Sequence, residues 1–400
     1  MLALAPLMVA EVAHAAWPTL EVAVSEAQRR SEGVVRAEAE VGIAHANQAG
    51  ARMSKLGNPY LDFQVDRGST TKDVQALAFL YTPLEIFGQR GARMDEADAM
   101  EHWRKVGLTD AKAIATGDVI GAYGSLQVAS ERLAIAERGE QAARAEAQYF
   151  EGRFAAQDAT VYDRSLAHAE VARWLQTKAD AILKLTQART ILLRLTGNPA
   201  WNEQATVVAP QPPALRHEWG AGHLAQATDK SPALRQLRAE SAYWEQSKKR
   251  WQAERRMPLE LTLIAGRGDP GDLRLGGGFL LQFPIFRRYQ GDIAKAEAQQ
   301  AYVAKVQPVL KTSIQARLEG AQLALKSMLE ALQALDEDGI PAGEKAVEAS
   351  FESYKRGKID LLQVLLARRE LALAKTRRLD LLESAWRAYA DLAALSGDWP

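Results

Sequence analysis

From Gly88 to Glu151 the chain has no proline, sparse glycine and a continuous run of Ala, Glu, Arg and Leu. At 1.5 Å per residue a helix of that span is about 95 Å long. Helices of globular proteins average roughly 11–12 residues. A helix this long must lie along partner helices, as in a coiled coil or a helical barrel. Gly152 to Asp158 reads as a turn, Ala159 to Leu195 as the helix running back, and Thr196-Gly197-Asn198-Pro199 as its end.

Two stretches break the helical pattern with a period of two, the signature of strands. In Tyr60–Arg67, Leu61, Phe63 and Val65 alternate with Asp62, Gln64 and Asp66. Gly68-Ser69-Thr70-Thr71 turns the chain. Val74–Tyr81 then sets Leu77, Phe79 and Tyr81 on one face and Ala76 and Ala78 on the other, and Pro83 ends the strand. The second stretch begins at Pro258. Leu259, Leu261 and Leu263 alternate with Glu260 and Thr262, and Gly266, Gly268, Pro270 and Gly271 supply loop chemistry. In Leu273–Phe283, Leu273, Leu275, Phe279, Leu281 and Phe283 share one face; Arg274, Gly276, Gly278 and Gln282 share the other.

The two hairpins belong to a longer recurrence. Pro59 and Pro258 open them 199 residues apart; Pro83 and Pro284 close them 201 apart. The turn glycines Gly152 and Gly357 differ by 205, and the terminal glycines Gly197 and Gly397 by 200. Four landmarks at one near-constant offset indicate an internal duplication. Each half reads as helix, hairpin, long helix, turn and return helix. The first repeat covers 16–199, with its hairpin at 59–83 and a tip near Gly152. A linker or equatorial segment covers 200–230. The second repeat covers 231–400, with its hairpin at 258–284, an interruption at Gly339-Ile340-Pro341 and a tip near Gly357.

Four strands of this length can each cross a bilayer at a tilt. In lipid, strands must close into a barrel, because an unpaired edge cannot be hydrated there. Small bacterial barrels have about eight strands, so four are too few and several chains must share one barrel. The polar or small faces (Asp62, Gln64, Asp66, Ala76, Ala78, Arg274, Gly276, Gly278) then line water, and the apolar faces meet lipid. The competing reading is a soluble sheet whose leucines pack on helices; it leaves the very long flanking helices unexplained.

Composition narrows the function classes. Lys+Arg 50 balances Asp+Glu 50, so nothing points to nucleic acid. There is no Cys, which excludes disulfides, thiolate metal sites and a cysteine nucleophile. No run of about 18 apolar residues is present to form a transmembrane helix. Met1–Ala10 is apolar and is followed by Ala13-His14-Ala15-Ala16, a small-x-small pattern that suggests a signal peptide over residues 1–15.

Three motifs carry a resemblance. They are Pro83-Leu84-Glu85-Ile86-Phe87-Gly88-Gln89-Arg90, Phe283-Pro284-Ile285-Phe286-Arg287-Arg288-Tyr289-Gln290-Gly291, and Tyr354-Lys355-Arg356-Gly357-Lys358-Ile359-Asp360-Leu361-Leu362-Gln363-Val364-Leu365. With the architecture, they make the chain resemble the TolC-like outer membrane efflux family over nearly its whole length. The two strand-exit motifs are most similar to the cobalt–zinc–cadmium and copper/silver branch. Phe87 and Gln89 replace a Gly and a Lys of that branch's first motif, and Tyr289 replaces the Asn of its second.

The resemblance implies a mainly α fold with transmembrane β: a long helical barrel, and four strands per chain in a trimeric 12-stranded outer membrane barrel. It implies a large periplasmic portion, a homotrimer, outer membrane lipid, a periplasmic adaptor and an inner-membrane pump of the resistance-nodulation-division type as partners. Heavy-metal cations are the expected cargo; drug efflux and type I protein secretion are the alternatives. A periplasmic coiled-coil scaffold without a pore is the rival of another class. Asp62, Gln64, Asp66, Arg274 and Gln282 are the expected pore-lining residues. Gly152, Asp158, Gly357, Asp360 and Gln363 are the candidate gate and adaptor-contact tip. The tip positions that are often acidic in the family fall on Gln363 and Leu366, neither of them acidic. Asp158 or Asp360 could supply a charged ring instead, or each could simply cap a helix.

No constellation points to an enzyme, a cofactor or a resident metal. His217, Glu218 and His223 fall in the expected linker and read as exposed loop residues rather than ligands. Lys248-Lys249-Arg250 with Arg255-Arg256 precedes a strand, and suits either lipid headgroups or a solvated helix face. Trp244 and Trp251 suit either packing or an interface anchor.

Overall fold

The structure, a computed structural model, describes residues 18–53, 58–67, 74–202, 210–213, 221–267, 272–286 and 288–398. The expected signal peptide, the turn residues 68–71 and 268–271, and His217 with Glu218 lie outside the described residues. In order the elements are α1 (Leu20–Arg30), α2 (Glu32–Ala51), β1 (Tyr60–Arg67), β2 (Val74–Leu84), α3 (Gln89–Ala155) and α4 (Val161–Thr196). A short 3-10 turn (Pro199–Asn202) follows, then α5 (Ala221–Lys230), α6 (Pro232–Glu254), β3 (Leu259–Arg267), β4 (Leu273–Leu281), α7 (Gln290–Ala334), α8 (Ile340–Lys355) and α9 (Leu361–Ser396). No described helix is long and apolar enough to cross a membrane.

The chain divides into two compact units. The strand-bearing unit takes Arg36–Asp110 and Asp229–Ser313. Its four strands form one antiparallel sheet in the order β1-β2-β3-β4. Its helices bury Ala44, Leu234, Leu237 and Val303 and are also joined by ion pairs. Arg104 on α3 reaches Glu40 on α2 at 2.8 Å, Arg250 on α6 reaches Glu96 on α3 at 2.6 Å, and Lys248 on α6 reaches Glu297 on α7 at 2.8 Å. Trp103 stacks on Tyr243 at 5.3 Å between ring centroids, and Trp251 on Tyr289 at 5.3 Å. The basic cluster is therefore spoken for in part by its own unit: Lys249 pairs with Glu245, and Arg256 donates to the carbonyl of Phe87.

The helical unit takes the described residues of Met1–Val35, Ala111–Thr228 and Ile314–Pro400. Its interior holds Ile120, Leu126, Leu192, Leu318, Leu325, Leu332, Leu379 and Leu382, all essentially buried. Full burial of each such side chain contributes about 1.5–3 kcal/mol. Small residues bring α3 and α9 together: Gly117 faces Ala390 and Ala394, and Gly124 faces Trp386. Trp386 is 6% exposed, and its Nε1–H donates to the carbonyl of Gln211 at 3.1 Å.

The capping chemistry follows the sequence. Thr19 caps α1, and its hydroxyl accepts from the Val22 N–H at 3.5 Å. Thr160 and Asp163 form a reciprocal capping box at the start of α4. Gly197 and Gly397 end α4 and α9 in the left-handed conformation, with φ of 62° and 74°. These last two helices run Val161–Thr196 and Leu361–Ser396, 200 residues apart at both ends. Ser31 before α2 and Ser231 before α6 keep the same offset.

Four sequence expectations change. β2 continues through Pro83 to Leu84, because Pro83 lies beyond the end of β1 and faces Glu260 of β3 on its other side. A proline is tolerated where one side of the ladder is vacant. The segment read as a linker closes on a helix, α5, which places His223 in a helix. Gly339-Ile340-Pro341 does not interrupt the long helix. One turn of π-helix, Leu335–Gly339, carries α7 into α8, and Pro341 follows directly on that turn, where the regular α-helical hydrogen-bond ladder is already broken. Finally, Gly152 is not the turn. α3 runs through it to Ala155, and the left-handed residue is Gln157, with φ of 60°.

Candidate functional site

In an antiparallel ladder, residues directly opposite each other point to the same face. The register therefore assembles the faces of the whole sheet. On one face lie Tyr60, Asp62, Gln64 and Asp66 of β1; opposite them are Tyr81, Phe79, Leu77 and Gln75 of β2. The same face continues through Glu260, Thr262, Ile264 and Gly266 of β3 to Leu280, Gly278, Gly276 and Arg274 of β4. Four of the expected pore-lining residues, Asp62, Gln64, Asp66 and Arg274, share this face. Gln282, just past β4, joins it by donating from Nε2 to Glu260 Oε1 at 3.3 Å.

The opposite face is apolar along its length. It carries Leu61, Phe63, Val65, Ala76, Ala78, Leu80, Leu261, Leu263, Ala265, Leu275, Phe279 and Leu281, with polar side chains only toward strand ends, at Arg67, Arg267 and Thr82. Its large side chains are exposed: Phe63 by 69%, Leu275 by 73% and Phe279 by 68%. A soluble sheet does not leave such a band uncovered. The face suits a hydrocarbon solvent.

One part of the face expectation is overturned. Ala76 and Ala78 lie opposite Val65 and Phe63, so they belong to the apolar face. Leu77, Phe79 and Tyr81 belong to the polar one. There they build an aromatic ladder: Tyr60 and Tyr81 stack at 4.7 Å, and Phe79 and Tyr81 at 6.1 Å. The Tyr60 hydroxyl donates to Glu260 Oε2 at 2.8 Å. Alternation within β2 did not reveal this, because both of its faces are apolar or small.

The second candidate region, in the helical unit, is the pair of turns joining α3 to α4 and α8 to α9. They are built alike. The Gln157 N–H donates to the Phe154 carbonyl at 3.0 Å, and the Gly357 N–H to the Tyr354 carbonyl at 2.8 Å. The Asp158 N–H donates to the Arg153 carbonyl at 2.8 Å, and the Lys358 N–H to the Ser353 carbonyl at 2.9 Å. Gly357 has φ of 66°, so Gln157 is its counterpart 200 residues earlier. Asp360 corresponds to Thr160, and Asp158 to Lys358.

Asp360 caps α9: its carboxylate accepts from the Gln363 N–H at 2.9 Å. Asp158 pairs with Arg153 at 2.9 Å, and Arg153 Nη1 also donates to the Tyr354 hydroxyl at 2.9 Å. The two aspartates thus occupy inequivalent places. Behind the turns, Phe150, Ala147, Ala167, Leu361 and Leu365 form a buried cluster.

Three carboxylates near these turns are held by arginines that sequence reading did not pair. Arg368 reaches Glu146 at 2.8 Å, and burial pushes the Glu146 carboxyl up against that attraction. Burial also pushes Glu170 up, but hydrogen bonds from Arg173 and Arg369 outweigh it and hold the carboxyl below its ordinary value. Lys178 and Arg144 hold Glu140 low in the same way. The partners Glu170 and Arg369 are 199 residues apart, Arg153 and Tyr354 are 201 apart, and Tyr60 and Glu260 are 200 apart. The recurrence offset itself was the signal that could have found them. Among the described residues, no group of three or more His, Asp or Glu side chains is placed to hold a metal ion.

No protein-family model matches the chain. It is 27% identical over 394 residues to the cobalt-zinc-cadmium resistance protein CzcC of Cupriavidus metallidurans, covering 95% of this chain and 90% of that protein. Its fold is shared with crystal structures of CusC, described for the conformational changes accompanying folding and transmembrane channel formation. The TM-score is 0.77 at 17% identity, covering 95% of this chain and 94% of the other. It is shared equally with the CmeC outer membrane channel of Campylobacter jejuni, with a TM-score of 0.79 at 14% identity over 94% and 85% of the two chains. The mainly helical architecture with a four-stranded antiparallel sheet is the fold of these channels.

Proposed function

We propose that this chain is an outer membrane channel subunit of the TolC-like efflux family, a passive conduit from periplasm to exterior. The observation that carries the reading is the two-faced sheet. One face is apolar and exposed along four strands; the other carries Asp62, Gln64, Asp66, Arg274 and Gln282. Among the described residues β1 and β4 are the two ends of the sheet, each with one open edge. Closure by three copies gives twelve strands and no free edge. The channel does no bond chemistry; the polar face supplies a wetted wall on which carboxylates favour cations.

The likeness to CzcC, a cobalt-zinc-cadmium resistance protein, favours heavy-metal cations as cargo and a tripartite assembly with a periplasmic adaptor and a resistance-nodulation-division pump. The turns at Gln157 and Gly357, with Asp158 and Asp360, form the adaptor-side tip. The two halves are repeats of one ancestral unit, with α5 as the counterpart of α1. One observation favours a second cargo class. The Tyr60–Tyr81–Phe79 ladder on the water-facing side suits organic amphiphiles, as in drug efflux.

The test is to express the protein in a bacterium with two membranes, separate them, and measure mass in detergent by light scattering. Outer membrane recovery, a trimer and single-channel conductance in planar bilayers are expected. A stable soluble monomer overturns the reading and favours the scaffold alternative.

A further inference from the structure

The polar face can be walked across one chain from edge to edge. Tyr60 lies opposite Tyr81, Tyr81 opposite Thr262, and Thr262 opposite Gly278. β1 and β3 occupy equivalent places in the two halves. Both end on an arginine, Arg67 and Arg267, and a 200-residue offset maps Leu61, Phe63 and Val65 onto Leu261, Leu263 and Ala265 of the same face. An offset of 199 would exchange the faces, because side chains alternate with a period of two. With 200 for β1 and β3, the two hairpin registers require 199 for β2 and β4.

Resting on the channel reading, we infer the register of the seam between copies: β4 of one copy pairs with β1 of the next as β2 pairs with β3 inside the chain. The β2–β3 pair Leu80 with Leu263 then becomes Phe279 with Phe63 of the next copy. Leu281 falls opposite Leu61, Gly277 opposite Val65, Leu280 opposite Asp62 and Gly278 opposite Gln64 of that copy. Apolar residues meet apolar residues or glycine through the middle of the lipid side, and only at the strand end does Leu275 fall opposite a charge, Arg67. On the water side, Arg274 lies diagonal to Asp66 of the next copy, within reach of a long side chain.

Barrel geometry is consistent with the same register and disfavours a slip toward smaller shear. Passing around one copy moves the walk from Tyr60 to Gln64 of the next, four residues along the strand. Three copies accumulate a shear of twelve on twelve strands. A barrel whose shear equals its strand number, such as the eight-stranded one with shear eight, tilts its strands by about 36°. Membrane barrels tilt by about 35–45°. Face matching allows only slips of two residues per seam. Scaling the tangent of the tilt with shear per strand gives about 20° for a slip one way, well below that range, and about 47° for the other, at its upper edge.

The absence of cysteine makes the seam directly testable. Phe279→Cys is combined in one chain with Leu61→Cys, Phe63→Cys or Val65→Cys, and each protein is oxidised as the assembled trimer in detergent. The Phe279→Cys, Phe63→Cys protein is expected to convert to covalent dimers and trimers several-fold faster than the other two. Leu280→Cys with Asp62→Cys repeats the test one residue along, because adjacent pairs alternate between close and wide geometry. Faster linking with Leu61→Cys or Val65→Cys overturns the register while leaving the closed barrel intact. Trimers in which no pair links overturn the β4–β1 seam. A monomer in detergent before oxidation overturns the channel reading itself.

Discussion

Gly124 offers a sharp test of the packing between α3 and α9. A Cβ at this position would lie 2.2 Å from Trp386 Cγ, 2.4 Å from its Cβ and 2.8 Å from its Cδ1. Carbon atoms pack at about 3.5–4.0 Å, so the base of the indole must retreat by more than about 1 Å. The ring is not free to do so. Its Nε1–H is bonded to the Gln211 carbonyl, and Tyr123 and Tyr389 pack edge-on at 6.4 and 5.9 Å. Gly124→Ala gains about 1 kcal/mol of helix propensity. Overpacking costs about 1–3 kcal/mol, and a contact this short takes the upper end.

The net loss expected for Gly124→Ala is therefore about 2 kcal/mol, set against a gain of up to about 1 kcal/mol for Gly42→Ala. Nothing lies within 4 Å of a Cβ at Gly42. The same chemical change should thus move stability in opposite directions. Thermal melts followed by far-UV circular dichroism should place Gly124→Ala several degrees below the wild type and Gly42→Ala at or above it. Combining Gly124→Ala with Trp386→Leu should recover part of the loss, which a double-mutant cycle reads as coupling. A melting temperature for Gly124→Ala at or above the wild type would falsify the close approach of the two helices.

Three further outcomes are expected. Phe279→Arg puts a charge on the lipid face and should cost about 2–4 kcal/mol near mid-membrane, lowering outer membrane yield. Gly278→Asp, where a Cβ meets nothing within 4 Å, should fold and shift conductance toward cations; equal insertion defects in both would refute the face assignment. Asp360→Ala should lose about 0.5–2 kcal/mol through its cap, whereas Asp360→Ser keeps a capping oxygen. If Asp360 also gates, both variants change single-channel leak; if only Asp360→Ala changes anything, its role is the cap. Glu170 has a folded pKa below its unfolded value, so its contribution is complete above the unfolded value, about 4.3, and fades as pH falls through the folded one. Melting temperature against pH should therefore drop less steeply in that acid range for Glu170→Gln than for the wild type; parallel curves would remove the Arg173 and Arg369 bonds from the account.

Much of the architecture was legible because local rules and the native state agree. The bounds of β1 follow from strict alternation between Leu61, Phe63, Val65 and their acidic neighbours. The ends of α4 and α9 follow from Gly197 and Gly397, which reach the left-handed conformation without a Cβ penalty. The turn after α3 was misplaced at Gly152 because a glycine inside a helix costs only about 1 kcal/mol and need not stop it. The left-handed position fell instead to Gln157, a residue with no such preference, held there by the Phe154 and Arg153 carbonyl bonds around it. Helix α5 was hidden in a stretch whose prolines suggested a linker.

By itself the sequence determined the order of elements, the 200-residue recurrence, and which residues share a face within each strand. Those are properties of the dihedral periods of helix and strand and of the residues that end them. Only the tertiary structure decided how the faces of different strands combine. Alternation in β2 leaves two solutions, since its two faces differ little in polarity. Pairing Asp62 with Phe79 and Phe63 with Ala78 chooses between them, and carries Tyr81 and Phe79 to the face of Asp62 and Gln64. That choice is set by hydrogen-bond register between strands, a relation that no single strand's pattern contains.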